Sequence, residues 1–186
     1  MPSYCQYVLA SKDPLHTAYH DSQYGFPLSS DSELFCRLIL EINQAGLSWT
    51  TILKKQESFR KAYVEFDIRK IARFGEKDVE RLMGDAGIIR NGLKVRAAIS
   101  NAQAVVELSK QHGSFDGWLA HHHPLPIEQW TKLFKRTFRF TGGEIVREFL
   151  VSTSYLAGAH ADECPIQAKV LRAKPHWNAT PHCCHL

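Results

Sequence analysis

Four histidine and cysteine residues near the two ends of the chain have the residue types of a zinc site. His160 and Cys164 are four residues apart, so on one helical turn their side chains can face the same metal ion. Cys5 and His20, near the N-terminus, can supply the other two ligands of a thiolate and imidazole set. Such a site would tie both ends of the chain together. On spacing alone, a second set of residues near the C-terminus could bind the metal instead. This competing cluster consists of His182, Cys183, Cys184 and His185.

A second group combines aromatic rings with one carboxylate. Glu41 and Trp49 are close in sequence, and Tyr7, Tyr19 and Tyr24 fall in an N-terminal segment with little periodicity. Flat aromatic walls with a hydrogen-bonding carboxylate suit a nucleobase that has been flipped out of a duplex. The ordinary alternative is that the carboxylate is solvated and the rings are part of the core. From the residues around Glu41 alone, we favour this alternative.

A third group is basic and contains two adjacent glycines. Gly142 and Gly143 lead directly into a predicted helix, where backbone N–H groups can approach a phosphate and the helix dipole favours negative charge. A helix, a hairpin and a second helix with this chemistry can grip a nucleic-acid backbone without reading its sequence. A solvated basic face is an equally good interpretation. The cations around this turn are Lys132, Lys135, Arg136 and Arg139, and weaker candidates are Lys54, Lys55, Arg90, Lys94 and Arg96.

Short helices joined by short turns must position these groups. The pair Ser30 and Glu33 has the pattern of a capping box, and apolar residues recur at helical spacing from Leu34 onward. Glu41 falls on the margin of that apolar face. We find no strand alternation of useful length, no internal repeat and no low-complexity linker. The pattern therefore predicts an all-α fold.

Composition narrows the class of protein. The 186 residues, 44% of them hydrophobic, fit one domain with a substantial core. The chain lacks an apolar run that could span a membrane and the layout of a signal peptide, so we expect a cytoplasmic protein. In that compartment, five cysteines favour metal binding or burial over a disulfide framework. A net charge of +4 is compatible with a polyanionic partner without being diagnostic of one.

The order and spacing of several motifs resemble the 3-methyladenine DNA glycosylase I family. The similar stretches are AYHDSQYGFP at 18–27, LEINQAGLSWTTILKK at 40–55 and DVERLMGDAGIIRNGLK at 78–94, followed by FRFTGGE at 138–144 and GAHADEC at 158–164. The resemblance extends from about Tyr4 to Cys164. It implies an all-α helix-hairpin-helix glycosylase fold, with one structural zinc ion that joins the two termini.

The resemblance also assigns roles to residues. It implies that Glu41 recognises the base, and that the ligands of zinc are Cys5, His20, His160 and Cys164. The base would bind to Tyr19 and Trp49, with Tyr24 and Tyr7 shaping the pocket. A hairpin at about 132–147 would contact the DNA backbone through Lys135, Arg136, Arg139, Gly142 and Gly143. Family members often have glycine where this chain has Thr137, which predicts a hairpin turn of different shape.

The activity implied is hydrolysis of the N-glycosidic bond of N3-methyladenine in alkylated duplex DNA. We expect a monofunctional, monomeric enzyme whose glycosylase domain covers 1–164, with a His/Cys-rich tail at 165–186 whose order is left open. Two rivals remain at this stage. One is a non-enzymatic DNA-binding relative. The other is a metal-dependent phosphohydrolase built on His20 and Asp21, which would need further ligands such as His16 and Asp13.

Overall fold

The computed structural model describes residues 3–28 and 30–179, and within these ranges the chain is helical and contains no strand. This confirms the predicted all-α class. No helix in the described ranges is both long enough and apolar enough to cross a membrane. The helices are α1 (Tyr4–Ser11), α2 (Pro14–Ser22), α3 (Asp31–Gln44), α4 (Trp49–Ala62), α5 (Ile68–Ile71), α6 (Glu76–Gly84), α7 (Gly92–His112), α8 (Phe115–His122), α9 (Ile127–Thr137), α10 (Gly143–Ser152) and α11 (Pro165–Arg172), with short 3-10 segments at Val64–Phe66 and His176–Asn178.

The chain divides into two compact units, which are described separately. The terminal unit comprises Met1–Leu28 and Leu150–Leu186, and the central unit comprises Ser29–Phe149. The terminal unit therefore brings the two ends of the chain together, as a metal site with ligands from both ends requires.

In the terminal unit, local sequence signals set the starts of α1 and α2. Ser3 and Gln6 form a capping box at α1, and Asp13 caps α2 just before a proline at its first position. A small apolar cluster lies in this unit and consists of Cys5, Cys164, Ile166 and Val170, with Phe26 and Ala161 packed against it. Cys164 immediately precedes α11, so this helix packs next to the candidate metal ligands.

Part of the predicted tail is ordered. The sequence left open whether the tail at 165–186 is ordered. Its first part, Pro165–Arg172, forms helix α11. Beyond α11, the His176 ring stacks on Tyr155 with 4.1 Å between ring centroids, and His176 Nδ1 hydrogen bonds to Ser154 Oγ at 2.8 Å. The competing cluster at 182–185 lies outside the described residues.

In the central unit, α3 is more deeply buried than its amphipathic pattern predicted. Ten consecutive residues, Leu34 through Asn43, are buried, among them Arg37 and Glu41. A helix enclosed on every side has no solvated rim. The interpretation of Glu41 as a solvated residue at the edge of an apolar face is therefore wrong.

The predicted capping box at the start of α3 is also wrong. Ser30 occupies the N-cap position but makes no side-chain capping bond. Glu33 instead receives two hydrogen bonds from Arg60, at 2.8 and 2.7 Å, so its carboxylate is no longer available to the helix terminus. The neighbouring Asp31 accepts hydrogen bonds from the backbone N–H groups of Phe115 and Asp116, at 2.8 and 3.0 Å, and so caps the start of α8.

The turn between α9 and α10 is fixed by one buried asparagine. Asn101 on α7 donates to the carbonyl oxygen of Arg139 at 3.1 Å and accepts from its N–H at 2.7 Å. Thr137 is the last residue of α9, and its hydroxyl donates to the carbonyl oxygen of Leu133 at 2.8 Å. Phe140, at the tip, has a left-handed φ of 60° and is exposed. Behind the turn lies an aromatic cluster of Phe115, Trp118, Trp130, Phe134, Phe138 and Phe149.

Candidate active site and metal centre

The four ligands predicted from the termini converge in the terminal unit. Cys5, His20, His160 and Cys164 are all buried, and one ligand atom of each lies within 4.8 Å of the others. The nitrogens that face each other are His20 Nε2 and His160 Nδ1, 3.2 Å apart. The four sulfur–nitrogen distances are 3.3, 3.7, 3.8 and 3.8 Å. Both cysteines are free thiols.

These distances fit the edges of a tetrahedron around zinc. With Zn–S of about 2.3 Å and Zn–N of about 2.0–2.1 Å, a tetrahedral ion sets N···N edges of about 3.3 Å and S···N edges of about 3.6 Å. The observed separations lie within a few tenths of an ångström of these values. The donor set therefore fits a zinc ion in both chemistry and geometry.

Both histidines are also oriented as metal ligands usually are. The carboxylate of Asp21 can only accept, so His20 donates to it from Nδ1 at 2.6 Å and turns Nε2 toward the cluster. The backbone carbonyl of Tyr24 likewise accepts from His160 Nε2 at 2.8 Å, which leaves Nδ1 for the metal. Burial lowers the pKa of His160, which favours the neutral imidazole that binds metals.

A glycine allows the backbone to reach His160 closely enough for this contact. Gly25 has a φ of +80°, and its N–H donates to the carbonyl oxygen of Ser152 at 3.0 Å. A Cβ at this position would lie 2.5 Å from Cβ of Ala159 and 3.5 Å from the His160 ring. Any side chain there would therefore displace either the Tyr24 carbonyl or the ligand histidine.

The alternative phosphohydrolase ligand set is not assembled in the described part of the chain. Asp21 contacts the outer nitrogen of His20, so it orients a ligand in the manner of an outer-shell partner. His16 Nδ1 instead hydrogen bonds to the hydroxyl of Tyr4 at 2.9 Å. Neither His16 nor Asp13 belongs to the group that could hold a metal.

The predicted aromatic residues of the terminal unit pack around a tyrosine that the sequence argument missed. The Tyr4 ring centroid lies 5.2 Å from that of Tyr24, 6.2 Å from that of Tyr19 and 6.2 Å from that of Tyr7. Tyr19 and Tyr24 are buried, whereas Tyr7 is 43% exposed. Burial raises the pKa of Tyr4, so its hydroxyl remains a neutral partner of His16. The available signal was its spacing of three residues from Tyr7 on one helical face.

In the central unit, the structure buries the predicted base-recognition carboxyl. Glu41 is 6% exposed, and burial raises its pKa to about 8. The charge of Arg37, one turn earlier on α3, lowers this pKa, and the charge of Glu148 raises it. Desolvation is the largest of the three effects. An acid that is costly to ionise and lies inside a protein is a strong candidate for a functional group.

Trp49 follows Glu41 after a turn that a buried lysine holds in place. Trp49 is the first residue of α4, is half-buried, and is preceded by Ser48, which caps the helix. Lys94 Nζ donates to the carbonyl oxygens of Asn43 and Ala45, at 3.1 and 2.9 Å, and so satisfies the C-terminal end of α3. Lys94 is therefore occupied inside the protein, and its interpretation as a weak phosphate contact is wrong.

The predicted DNA-backbone residues lie at the α9–α10 turn in the central unit. Lys135, Arg136 and Arg139 are exposed there. Lys135, Arg139 and Gly142 line a shallow cavity of about 390 Å³. A Cβ at Gly142 would meet no atom within 4 Å, and a Cβ at Gly143 would only touch a Thr131 methyl group at 4.0 Å. Arg96, a weaker candidate, is instead paired with Glu76 at 2.6 and 2.8 Å.

Comparison with known proteins gives a consistent result. A sequence model of the methyladenine glycosylase family matches residues 9–132. The chain is similar to DNA-3-methyladenine glycosylase 1 of Escherichia coli, with 38% identity over 159 residues, which are 75% of this chain and 85% of the relative. It is also similar to the DNA-3-methyladenine glycosylase of Haemophilus influenzae, with 32% identity over 89% of this chain and 98% of the relative.

Solved structures agree with the sequence relatives. One is a point variant of 3-methyladenine DNA glycosylase I in complex with 3-methyladenine, with a TM-score of 0.79, 31% identity, and coverage of 86% of this chain and 95% of that chain. Another is 3-methyladenine DNA glycosylase I of Staphylococcus aureus, with a TM-score of 0.78, 31% identity, and coverage of 86% and 94%. In each comparison, the similarity therefore covers most of this chain and most of the solved structure.

Proposed function

The chain belongs to the methyladenine glycosylase family, and from this premise we propose that it hydrolyses the N-glycosidic bond of N3-methyladenine in alkylated DNA. The observation that carries the assignment of the site is the buried carboxyl of Glu41, with its pKa raised to about 8, inside the LEINQAGLSW motif. The enzyme is monofunctional and leaves an abasic site in base excision repair.

The reaction needs little acid catalysis because the substrate base is already cationic. When the bond between C1′ and the base nitrogen breaks, its electron pair returns to the base, which leaves as a neutral molecule. A water molecule adds to C1′ and releases a proton, so the sugar becomes an abasic site. The protein's main task is then to select and hold the cationic base rather than to protonate it.

Glu41 selects the base by hydrogen bonding and by charge. Its carboxylate accepts a hydrogen bond from the exocyclic amine of the base. A cationic base offsets part of the cost of ionising a buried carboxyl, and neutral adenine does not. Trp49 stacks on the base, and a cation over a desolvated aromatic face gains up to roughly 2 kcal/mol. Tyr19, Tyr24 and Tyr7 are the other proposed base-binding residues.

Zinc is proposed as a structural ion at Cys5, His20, His160 and Cys164. The support is the tetrahedral spacing of the four ligand atoms and the outer partners of both histidines. Four protein ligands leave no position for a reacting water, so no step of the hydrolysis involves the metal. When bound, the ion cross-links the two ends of the chain.

The α9–α10 turn is proposed as a helix-hairpin-helix element that contacts the DNA backbone. Neither packing nor backbone conformation requires glycine at Gly142, since a Cβ there has open space and its φ is not left-handed. Close approach of a phosphate to the N–H groups of Gly142 and Gly143 would explain both glycines. Lys135, Arg136 and Arg139 add charge, so DNA binding should weaken steeply with salt. The monomeric state, the cytoplasmic location and the single domain at 1–164 remain predictions from the sequence.

Base release tests this function. The protein is incubated with methylated duplex DNA, and released bases are separated by chromatography for the wild type, Glu41→Gln and Glu33→Gln. Glu41→Gln replaces a charged acceptor with a neutral amide oxygen. Because a hydrogen bond to a charged group contributes about 1.5–3 kcal/mol, loss of the charge should slow release of 3-methyladenine about 10- to 100-fold. Glu33→Gln makes the same chemical change on the same helix and should leave the rate unchanged.

Other outcomes have distinct meanings. Equal release by the wild type and Glu41→Gln would keep the reaction and reject Glu41 as its recognition group. No release by folded, zinc-loaded protein, with equal affinity for methylated and unmethylated DNA, would support the non-enzymatic DNA-binding alternative.

A further inference from the structure

Three histidines meet at the corner between α7 and α8 in the central unit. His112 is the last residue of α7, and His121 and His122 are the last two residues of α8. Their ring centroids are 4.9 Å apart for His112 and His121, 5.9 Å for His112 and His122, and 4.9 Å for His121 and His122. This histidine triad shares no residue with the proposed zinc cluster, which consists of Cys5, His20, His160 and Cys164. It also shares none with the proposed base-binding and DNA-binding residues.

The backbone of the corner explains why the three side chains meet. Gly113, with a φ of +81°, ends α7, and Ser114 caps α8 by accepting from the N–H of Gly117 at 2.7 Å. A Cβ at Gly117 would lie 2.3 Å from the carbonyl oxygen of His112. Glycine therefore lets the end of α7 and the first turn of α8 approach more closely than any other residue would allow.

Two of the three ring spacings match those of imidazoles around a single ion, and the third, between His112 and His122, is wider at 5.9 Å. With metal–nitrogen distances of about 2.0–2.1 Å, rings on one tetrahedral ion have centroids about 5 Å apart. The ring planes are inclined at 46°, 54° and 85° to each other, as for rings that converge rather than stack. Among the described residues only the cluster of Cys5, His20, His160 and Cys164 already has its ligand atoms within 4.8 Å of one another, so metal binding requires the rings of His112 and His121 to rotate toward that of His122.

The hydrogen bonding and exposure of the triad are also those of a surface metal site. His122 donates from Nδ1 to the carbonyl oxygen of Trp118 at 2.9 Å, which fixes its tautomer and leaves Nε2 as the ligand atom. His121 is exposed and His112 is half-buried, so an ion can enter from solvent.

We infer that His112, His121 and His122 bind one divalent transition-metal ion of the kind that prefers imidazole, such as zinc or nickel. Three neutral protein ligands leave a coordination position for water, so this ion exchanges with solvent more readily than one held by two thiolates and two imidazoles. The site is distinct from the structural zinc of the proposed function and does not depend on it.

Nickel binding to the zinc-loaded 186-residue chain tests the site. Binding is measured by titration calorimetry, and bound metal is counted by elemental analysis. The wild type should bind one equivalent of Ni²⁺ beyond its zinc. His121→Ala and His112→Gln, each removing one ligand, should weaken this binding by more than the roughly tenfold effect typical of losing an outer-shell partner. Both positions lie outside the aromatic core, and thermal unfolding verifies that each variant is folded.

The C-terminal cluster provides the matched control, because it contains the same residue types outside the described part of the chain. A variant of the 186-residue chain with His182→Ala, Cys183→Ser, Cys184→Ser and His185→Ala should keep the additional Ni²⁺. The inference is overturned if the wild type shows no binding tighter than about 1 mM. It is equally overturned if Ni²⁺ binding persists in both triad variants, or if it disappears in the C-terminal variant alone.

Discussion

The cluster of Cys5, His20, His160 and Cys164 and the surroundings of Glu41 are both buried and polar, but we expect opposite effects on stability from them. At the cluster, each ring nitrogen of His20 and His160 either faces the metal position or donates to a fixed acceptor. At Glu41, burial raises the pKa to about 8, so the folded protein resists the charged form. With zinc bound as proposed, the first arrangement would stabilise the terminal unit, whereas burial of an ionised Glu41 costs stability in the central unit. Under the proposed function, this cost is retained because the buried carboxyl binds a cationic base.

The largest expected effect concerns the metal. Cys164→Ser should reduce zinc to well below one equivalent and destabilise the protein by several kcal/mol, because metal binding free energy is folding free energy at such sites. Zinc content by elemental analysis and thermal unfolding with and without chelator measure both changes. Cys36→Ala is the matched control, since it removes another buried cysteine that lies in the central unit. Full zinc content in Cys164→Ser would contradict the assignment of this ligand.

The next effect concerns Glu41 and Glu33 on α3, which should change the pH dependence of stability in opposite directions. The folded-state pKa of Glu41 is raised from its ordinary value of 4.5 to about 8, so the unfolded chain releases this proton at lower pH than the folded chain does. Stability therefore falls as pH rises between these two values, by a few kcal/mol in total. Glu41→Gln should remove this decline, and its unfolding temperature should exceed that of the wild type most clearly near pH 8.

Glu33 provides the opposite sign on the same helix. The hydrogen bonds from Arg60 lower its pKa, so its ion pair stabilises the protein at neutral pH and is lost as pH falls through the folded-state pKa. Because the side chain of Glu33 is 42% exposed, Glu33→Gln should cost less than about 1 kcal/mol at neutral pH. Unfolding by urea at several pH values measures both variants. Parallel pH profiles for the wild type and Glu41→Gln would show that Glu41 ionises normally.

A smaller effect tests how closely the backbone approaches the metal ligands. Gly25→Ala forces a side chain into a left-handed backbone conformation and against Ala159, which should cost about 1–3 kcal/mol and weaken zinc binding. Adding Ala159→Gly removes the contact but not the backbone strain, so it should restore zinc affinity more than stability. Competition with a chromogenic chelator measures the affinity. Unchanged affinity in Gly25→Ala would show that the His160 position tolerates this displacement.

The smallest effect on stability is expected at Gly142, in the α9–α10 turn. Gly142→Ala should change the free energy of unfolding by less than about 0.5 kcal/mol, because the added methyl group meets no atom within 4 Å. It should still weaken DNA binding if a phosphate approaches this backbone. Gly75→Ala, also at a position with open space, is the control and should leave DNA affinity unchanged. Equal DNA affinity for both variants would reject the proposed phosphate contact.

Sequence patterns predicted the terminal cysteine and histidine cluster more completely than the surroundings of Glu41. The convergence of the four terminal cysteine and histidine side chains could be predicted because the spacing of His160 and Cys164 is local, and the resemblance supplied their long-range partners. The burial of Glu41 could not be predicted, since an amphipathic pattern describes one face of a helix and cannot show that other elements cover the opposite face. Burial of that kind is decided by tertiary packing.

The other differences between the sequence predictions and the structure also result from contacts between residues that are distant in sequence. The pattern at Ser30 and Glu33 predicted a capping box, but Arg60, distant in sequence, binds Glu33 more favourably. Lys94 lies in a basic stretch, yet it caps the end of α3 through two carbonyl groups. The all-α class was predicted correctly because it depends on local periodicity, which does not require knowledge of such long-range partners.

The most direct test of the central claim measures stability and base release on the same samples. Wild type and Glu41→Gln are compared at pH 8 for zinc content, unfolding temperature and the single-turnover rate of 3-methyladenine release from methylated DNA. We expect the variant to be zinc-loaded and at least as stable as the wild type, yet about 10- to 100-fold slower. A variant that is equally stable and equally fast would contradict the claim that Glu41 is kept buried for base recognition.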